Sequence, residues 1–120
     1  MKVAVTSQGQ TMASEVDPRF GRARFFIVLD TESGVFAVHD NAQNLNAAQG
    51  AGIQAAQNVA QLGVEAIVTG NIGPKAHSAL EAGHVKVYIG AEGTIRRAIE
   101  RFNAGQLECA DRPNVGGHWR

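Results

Sequence analysis

The sequence contains one cysteine, Cys109, among 120 residues. An intramolecular disulfide is therefore impossible, and a four-cysteine zinc or iron–sulfur site cannot be built within one chain. Charge of either sign is not in excess, since 11 basic residues balance 11 acidic ones, and this excludes a global attraction to nucleic acid. There is no apolar run long enough to span a membrane and no apolar signal segment. We expect a soluble, cytoplasmic protein in which any anion or metal site is local.

Apolar periodicity predicts an α/β fold with the element order β-β-β-α-β-α-β-α. This order gives a mixed five-stranded sheet with helices on its faces. The first strand, Lys2–Thr6, is expected inside the sheet, and the second arm of a hairpin, Val35–His39, at its edge. Residues 1–105 are expected to form the α/β domain. Residues 106–120 lack periodicity and are assigned to a C-terminal tail.

A strand-loop-helix segment with a glycine-bracketed turn lies in the middle of the chain. The apolar run Ala66–Val68 precedes the turn, and Pro74 suits the first position of the helix that follows. Backbone N–H groups at a helix N-terminus attract anions, and a lysine adds positive charge there. We call the turn and the first helical residues the cradle and predict that they bind an anion: Gly70, Asn71, Ile72, Gly73, Pro74 and Lys75. A plain βα turn is the alternative.

A long segment from Ser7 to about Arg24 connects the first two strands, and we call it the arginine loop. Connections of this length in a small domain often carry function. Guanidinium groups flank an aromatic residue and a glycine, which concentrates planar donors beside a flexible backbone position. The predicted binding residues here are Arg19, Phe20, Gly21 and Arg22. A solvated arginine cluster is the alternative.

Soft or borderline metal ligands are few. His77 follows Pro74 by three residues and is expected to project near the cradle, where it could coordinate a metal or pair with an anion. Cys109 and His118 belong to the tail, and Met12 to the arginine loop. These four side chains are the candidate metal ligands for copper or iron.

Several of these motifs, taken in order, resemble a known family. Val3-Ala-Val-Thr, Val16-Asp-Pro-Arg-Phe-Gly-Arg-Ala, Gly50-Ala-Gly-Ile-Gln-Ala-Ala, Val68-Thr-Gly-Asn-Ile-Gly-Pro-Lys-Ala and Gly93-Thr-Ile are similar to the dinitrogenase iron–molybdenum cofactor family, which includes NifX and the C-terminal part of NifB. The resemblance implies a ribonuclease-H-like fold and a protein that binds, carries or protects a metal–sulfur cluster without turnover of its own. An iron–molybdenum-type cluster is one implied cargo. The short tail resembles small stand-alone members of the family, for which a molybdenum–copper sulfide cluster is implied.

Two other classes of function compete with a cluster carrier. Nucleases with a ribonuclease-H-like fold hold two metal ions with carboxylates on central strands, but Lys2–Thr6 and Ala66–Thr69 contain none. A regulatory or scaffold protein could use the cradle for a partner protein or a phosphate metabolite. A carrier, in contrast, needs a cluster-donating or cluster-accepting protein as its partner.

Overall fold

A six-stranded mixed sheet forms the centre of the structure, a computed structural model in which residues 1–41 and 51–110 are described. Three α-helices and one short 3₁₀ turn, Phe20–Arg22, accompany it in the described residues. The strands are β1 (Lys2–Ser7), β2 (Phe25–Asp30), β3 (Phe36–Asp40), β4 (Ala66–Val68), β5 (Lys86–Ile89) and β6 (Glu108–Cys109). The helices are α1 (Ala51–Gln61), α2 (Pro74–Ala82) and α3 (Ile95–Asn103).

The strand order is β3-β2-β1-β4-β5-β6. β1 pairs antiparallel with β2 and parallel with β4, and β4 pairs parallel with β5. The predictions that the first strand is interior and that the second hairpin arm is an edge strand are confirmed. Because β1 and β4 are parallel, their carboxyl ends meet at one edge of the sheet, where ligands of such folds bind.

The sheet contains one strand more than the sequence predicted. β6 is two residues long and pairs antiparallel with β5, with Cys109 opposite Tyr88. It lies within the segment assigned to the tail, so residues 108–109 extend the sheet. A strand of two residues has no measurable periodicity, and it forms because the outer edge of β5 offers unpaired backbone groups. Residues 111–120, including His118, lie outside the described part of the chain.

Apolar side chains form two cores, one on each face of the sheet. α1 and α2 cover one face, where Ala55, Val59 and Leu80 are buried. α3 covers the other face with Ile95 and Ala98. Such two-sided coverage explains why β2 is apolar along its whole inner length. None of the helices in the described ranges is both long and apolar enough to cross a bilayer.

Candidate functional site

The cradle links the end of β4 to the start of α2. Gly73 is the N-cap and supplies no side-chain hydrogen bond, and Pro74 occupies the first turn of α2. The N–H groups of Lys75 and Ala76 donate no hydrogen bond to any other described residue. Lys75 is exposed at the same end of the helix. The first turn of α2 therefore presents unsatisfied donors, the positive end of the helix dipole and a cation to the same space.

The first N–H groups of α3, in contrast to those of α2, have hydrogen-bond acceptors. The backbone carbonyls of Ser14 and Met12 accept hydrogen bonds from the N–H groups of Ile95 and Arg96, at 2.9 Å each. The Thr94 hydroxyl accepts the N–H of Arg97. The arginine loop therefore caps α3, because its carbonyls accept the first N–H groups of that helix. Helix α3, which follows β5, has acceptors for its first N–H groups. Helix α2, which follows β4, has none for Lys75 and Ala76 among the described residues.

The other end of the arginine loop is bound directly to the cradle. The Asn71 N–H donates to the carbonyl of Pro18 at 2.7 Å, and the Asn71 side-chain amide donates to the same oxygen at 3.4 Å. The Phe20 N–H donates to the carbonyl of Asn71 at 3.4 Å. We call this set of bonds the loop–cradle contact. It brings together the arginine loop and the cradle, the two segments in which the sequence predicted binding residues.

Gly70 is required by the closeness of this contact. A Cβ atom at residue 70 would lie 2.8 Å from both the Cα and the carbonyl oxygen of Pro18. Real Cβ atoms essentially never approach backbone so closely. The Gly70 carbonyl also accepts the N–H of Gly90 at 3.0 Å, which fixes the cradle to the turn after β5. The glycine therefore allows the two backbones to touch and fixes the cradle's position.

The predicted binding residues divide into anchors and exposed donors. The Phe20 side chain is 2% exposed and packs against the ring of Phe26, with centroids 5.6 Å apart. Ile72 is 1% exposed and lies in the same core. These two side chains hold the loop and the cradle to the domain. Exposed cationic side chains remain at the surface of the site: Arg19, Arg22 and Lys75. Gly21 is half-buried in the 3₁₀ turn.

Sequence reasoning missed the buried polar residues beneath the loop. Asp17 is 6% exposed, and its Oδ1 accepts the Arg19 N–H at 3.0 Å and lies 3.8 Å from Arg19 Nε. The hydroxyl of Thr6, at the end of β1, contacts the Asp17 carbonyl at 2.7 Å and the Thr69 hydroxyl at 2.9 Å. An aspartate two residues before an N–H that it accepts is ordinary turn chemistry, and that local signal could have identified Asp17. The pairing of Thr6 with Thr69 spans 63 positions and has no local signal.

The candidate metal ligands in the described part of the chain do not form one cluster, although residues His77 and Cys109 line the same open cavity. His77 is buried, and its Nε2 lies 3.0 Å from the carbonyl of Ala110, on the α2 side of the sheet. Cys109 is opposite Tyr88, so its side chain is on the α3 face, where Tyr88 packs edge-to-face on Phe102. Burial of Tyr88, with the Cys109 thiol hydrogen-bonded beside it, raises the pKa of the Tyr88 hydroxyl.

Met12 is also separate from the cradle, because it packs against the core on the α3 face. His118 lies outside the described residues. Within residues 1–41 and 51–110, no three His, Cys, Asp or Glu side chains are grouped as a metal site. The arrangement at the cradle favours an anion held by N–H groups and cations over a metal ion held by several side-chain ligands.

Known proteins resemble this chain in sequence and in fold. The family model described as dinitrogenase iron–molybdenum cofactor matches residues 1–105. An uncharacterised protein of Methanocaldococcus jannaschii is 32% identical over 110 residues, which is 90% of each chain.

Two solved structures are similar in both sequence and fold. The apo form of the orange protein from Desulfovibrio gigas is 42% identical with a TM-score of 0.92, covering 94% of this chain and 95% of that one. A putative NifB protein from Thermotoga is 40% identical with a TM-score of 0.79, covering 90% and 91%. The residues that the family model matches include both the arginine loop and the cradle.

Proposed function

Since this chain belongs to the dinitrogenase iron–molybdenum cofactor family, we propose that it binds and carries an anionic metal–sulfur cluster between the arginine loop and the cradle. The loop–cradle contact is the observation that carries this proposal. The bond from the Asn71 N–H to the Pro18 carbonyl joins a segment rich in guanidinium groups to an open helix N-terminus. A multiply charged anion is the ligand that suits both the guanidinium groups of the loop and the N–H groups at the helix N-terminus.

The chemistry of such clusters explains why few protein ligands are needed. Thiomolybdate-type and iron–molybdenum clusters already contain sulfide, so a protein can hold them with arginine, lysine and backbone N–H donors. Three exposed cations belong to the arginine loop and the cradle: Arg19, Arg22 and Lys75. Together with the N–H groups of α2 they supply donors without a cysteine framework. We propose no catalytic step at this site, and β1 and β4 contain no carboxylate for two-metal hydrolysis.

The cargo is proposed as a molybdenum–copper sulfide or an iron–molybdenum-type cluster. Both are sulfide-bridged anions, and the proposed site would bind either cluster through the cluster's negative charge and sulfide atoms. A carrier also requires a protein that donates the cluster or accepts it. Protein purified anaerobically from its source should show charge-transfer bands in the visible spectrum, and elemental analysis for molybdenum, copper and iron separates the two clusters. A colourless, metal-free protein that does not respond to added cluster would support a scaffold that binds a partner protein or a phosphate metabolite.

The site itself is tested by charge-removing variants. The probe is tetrathiomolybdate with copper(I), titrated anaerobically at moderate ionic strength and followed by absorption. Arg19→Ala, Arg22→Ala and Lys75→Ala should each weaken binding about tenfold or more, because a charge-assisted hydrogen bond contributes roughly 1.5 to 3 kcal/mol.

Matched controls are available on α3. Arg96 and Arg97 have the same charge and are exposed, but they lie on the helix whose N-terminus the arginine loop closes. Their alanine variants should change affinity little, since exposed charges away from the ligand are screened by salt. Equal losses in both sets would mean that only total charge matters. Loss in the control set alone would move the site to α3.

A further inference from the structure

Asp17 is a buried carboxylate within a site that is proposed to hold an anion. The N–H, the carbonyl and the Oδ1 of this residue each have a hydrogen-bond partner at the base of the arginine loop. Its N–H donates to the Thr6 carbonyl at 2.9 Å, and its carbonyl accepts the Thr6 hydroxyl at 2.7 Å. Its Oδ1 accepts the Arg19 N–H at 3.0 Å. Asp17 therefore fastens the end of β1 to the residues that carry the binding cations.

The same hydrogen bonds determine where the loop meets the cradle. The bond from the Arg19 N–H to Asp17 Oδ1 closes a turn around Pro18. This turn directs the Pro18 carbonyl to the Asn71 N–H, at 2.7 Å. The Asp17 side chain bonds to Arg19 and not to the cradle. It acts on the binding site through Pro18 and Arg19.

The hydrogen bonds of Asp17 support the binding site, whereas its negative charge opposes the binding of an anion there. Its Oδ1 lies 3.8 Å from Arg19 Nε, so it partly neutralises a guanidinium that would otherwise act on the anion. A buried negative charge is also screened less than an exposed one and repels an anion directly. An amide oxygen could accept the Arg19 N–H equally well. The hydrogen bonds of Asp17 thus do not require its charge.

Resting on the proposed function, we propose that Asp17 is a positioning residue with two separable effects. Its side-chain oxygen holds the arginine loop on the cradle and so creates the binding site. Its negative charge weakens the hold on the cluster and speeds release, which suits a protein that must hand its cargo to another. Affinity is therefore set below the maximum that the loop and the cradle could reach.

Two substitutions separate the effects of shape and charge. Asp17→Asn keeps an oxygen for the Arg19 N–H and removes the charge, whereas Asp17→Ala removes both. Glu15→Gln is the matched control, because Glu15 is an exposed carboxylate on the same loop. The measurements are thermal melting, amide hydrogen exchange at Asn71 without ligand, and the affinity and release rate of tetrathiomolybdate with copper(I).

Asp17→Asn should leave exchange at Asn71 near the wild-type rate. It should tighten binding about fivefold, with most of the gain in slower release, as expected when one nearby unit charge is removed. Asp17→Ala should speed exchange at Asn71 about tenfold or more and should weaken binding, because the turn around Pro18 is lost. Glu15→Gln should change each quantity less than about twofold.

Three outcomes would overturn parts of this inference. Wild-type exchange at Asn71 in Asp17→Ala would show that the residue does not position the loop. Weaker binding in Asp17→Asn, with normal exchange and melting, would show that the charge assists the site. A wild-type protein that binds no cluster would overturn the proposed function together with the effect of the charge, while the exchange measurements would still decide the positioning effect.

Discussion

Substitution of Gly70 by alanine tests the loop–cradle contact without removing any charge. The new methyl group would lie 2.8 Å from the Cα and the carbonyl oxygen of Pro18 and 3.0 Å from its Cβ. Two of these atoms belong to the backbone, so no side-chain rotation relieves the clash. The loop must move away from the cradle, and the 2.7 Å bond from the Asn71 N–H to Pro18 lengthens or breaks.

The expected loss of stability follows from the cost of overpacking, about 1 to 3 kcal/mol. The entropy of unfolding is roughly 2.1 cal/mol/K per residue, and the chain has 120 residues. The melting temperature of Gly70→Ala should therefore fall by about 4 to 12 °C. Affinity for tetrathiomolybdate with copper(I) should fall about tenfold or more, since the loop that carries the arginines would move away from the cradle.

Gly52→Ala is the matched control. A Cβ at residue 52 would meet the Cβ of Ala76 at 3.4 Å, an ordinary contact, and Gly52 lies within α1. In a helix interior alanine is more stabilising than glycine by roughly 0.5 to 1 kcal/mol; residue 52 lies in the first turn, where the gain is smaller, so this variant should melt at or slightly above the wild-type temperature. Differential scanning calorimetry measures both variants. A Gly70→Ala protein that melted within about 2 °C of wild type and bound the probe normally would refute the close contact as the basis of the site.

Two further predictions concern the scarce ligands and the edge of the sheet. His77→Ala, Cys109→Ala and His118→Ala should each keep most of the affinity for the probe and its visible spectrum; a lost or shifted charge-transfer band in any of them would identify a direct ligand. Because the pKa of Tyr88 is raised, the folded state holds this proton more tightly than the unfolded state. Its contribution to stability is therefore present below the ordinary tyrosine pKa of about 10 and is lost as the pH rises through the folded value. Tyr88→Phe should flatten the alkaline part of a stability-against-pH curve measured by urea unfolding, and an unchanged curve would contradict the assignment.

The sequence predicted most of the sheet because its signals are local. The hairpin of β2 and β3 follows from two apolar runs with a short polar connection, and the helices follow from apolar spacing ended by glycine. β6 could not be predicted in this way, since two residues have no period. Its pairing depends on the free edge of β5, which exists only in the folded domain.

The sequence identified the two segments that the loop–cradle contact joins, but it did not indicate which of their side chains are buried. Arg19 and Lys75 are exposed as expected for cationic donors. Phe20 was grouped with them because it is adjacent in sequence, but its ring lies in the core. His77 was expected near the cradle, and its ring contacts Ala110 instead. In each case the direction of a side chain was decided by tertiary packing, which neighbouring residues in the sequence do not record.

The loop–cradle contact also sets the order in which the binding site can form. It joins Pro18 to Asn71, residues 53 positions apart, and it lies beyond the parallel pairing of β1 with β4. Closing so long a stretch of chain is entropically costly and occurs after local hairpins and helices have formed. An unfinished or partly unfolded chain therefore carries the arginines and the glycine turn as separate, weak segments. The loop and the cradle meet once β1 and β4 have paired, so in the proposed carrier we expect cluster loading only by fully folded molecules.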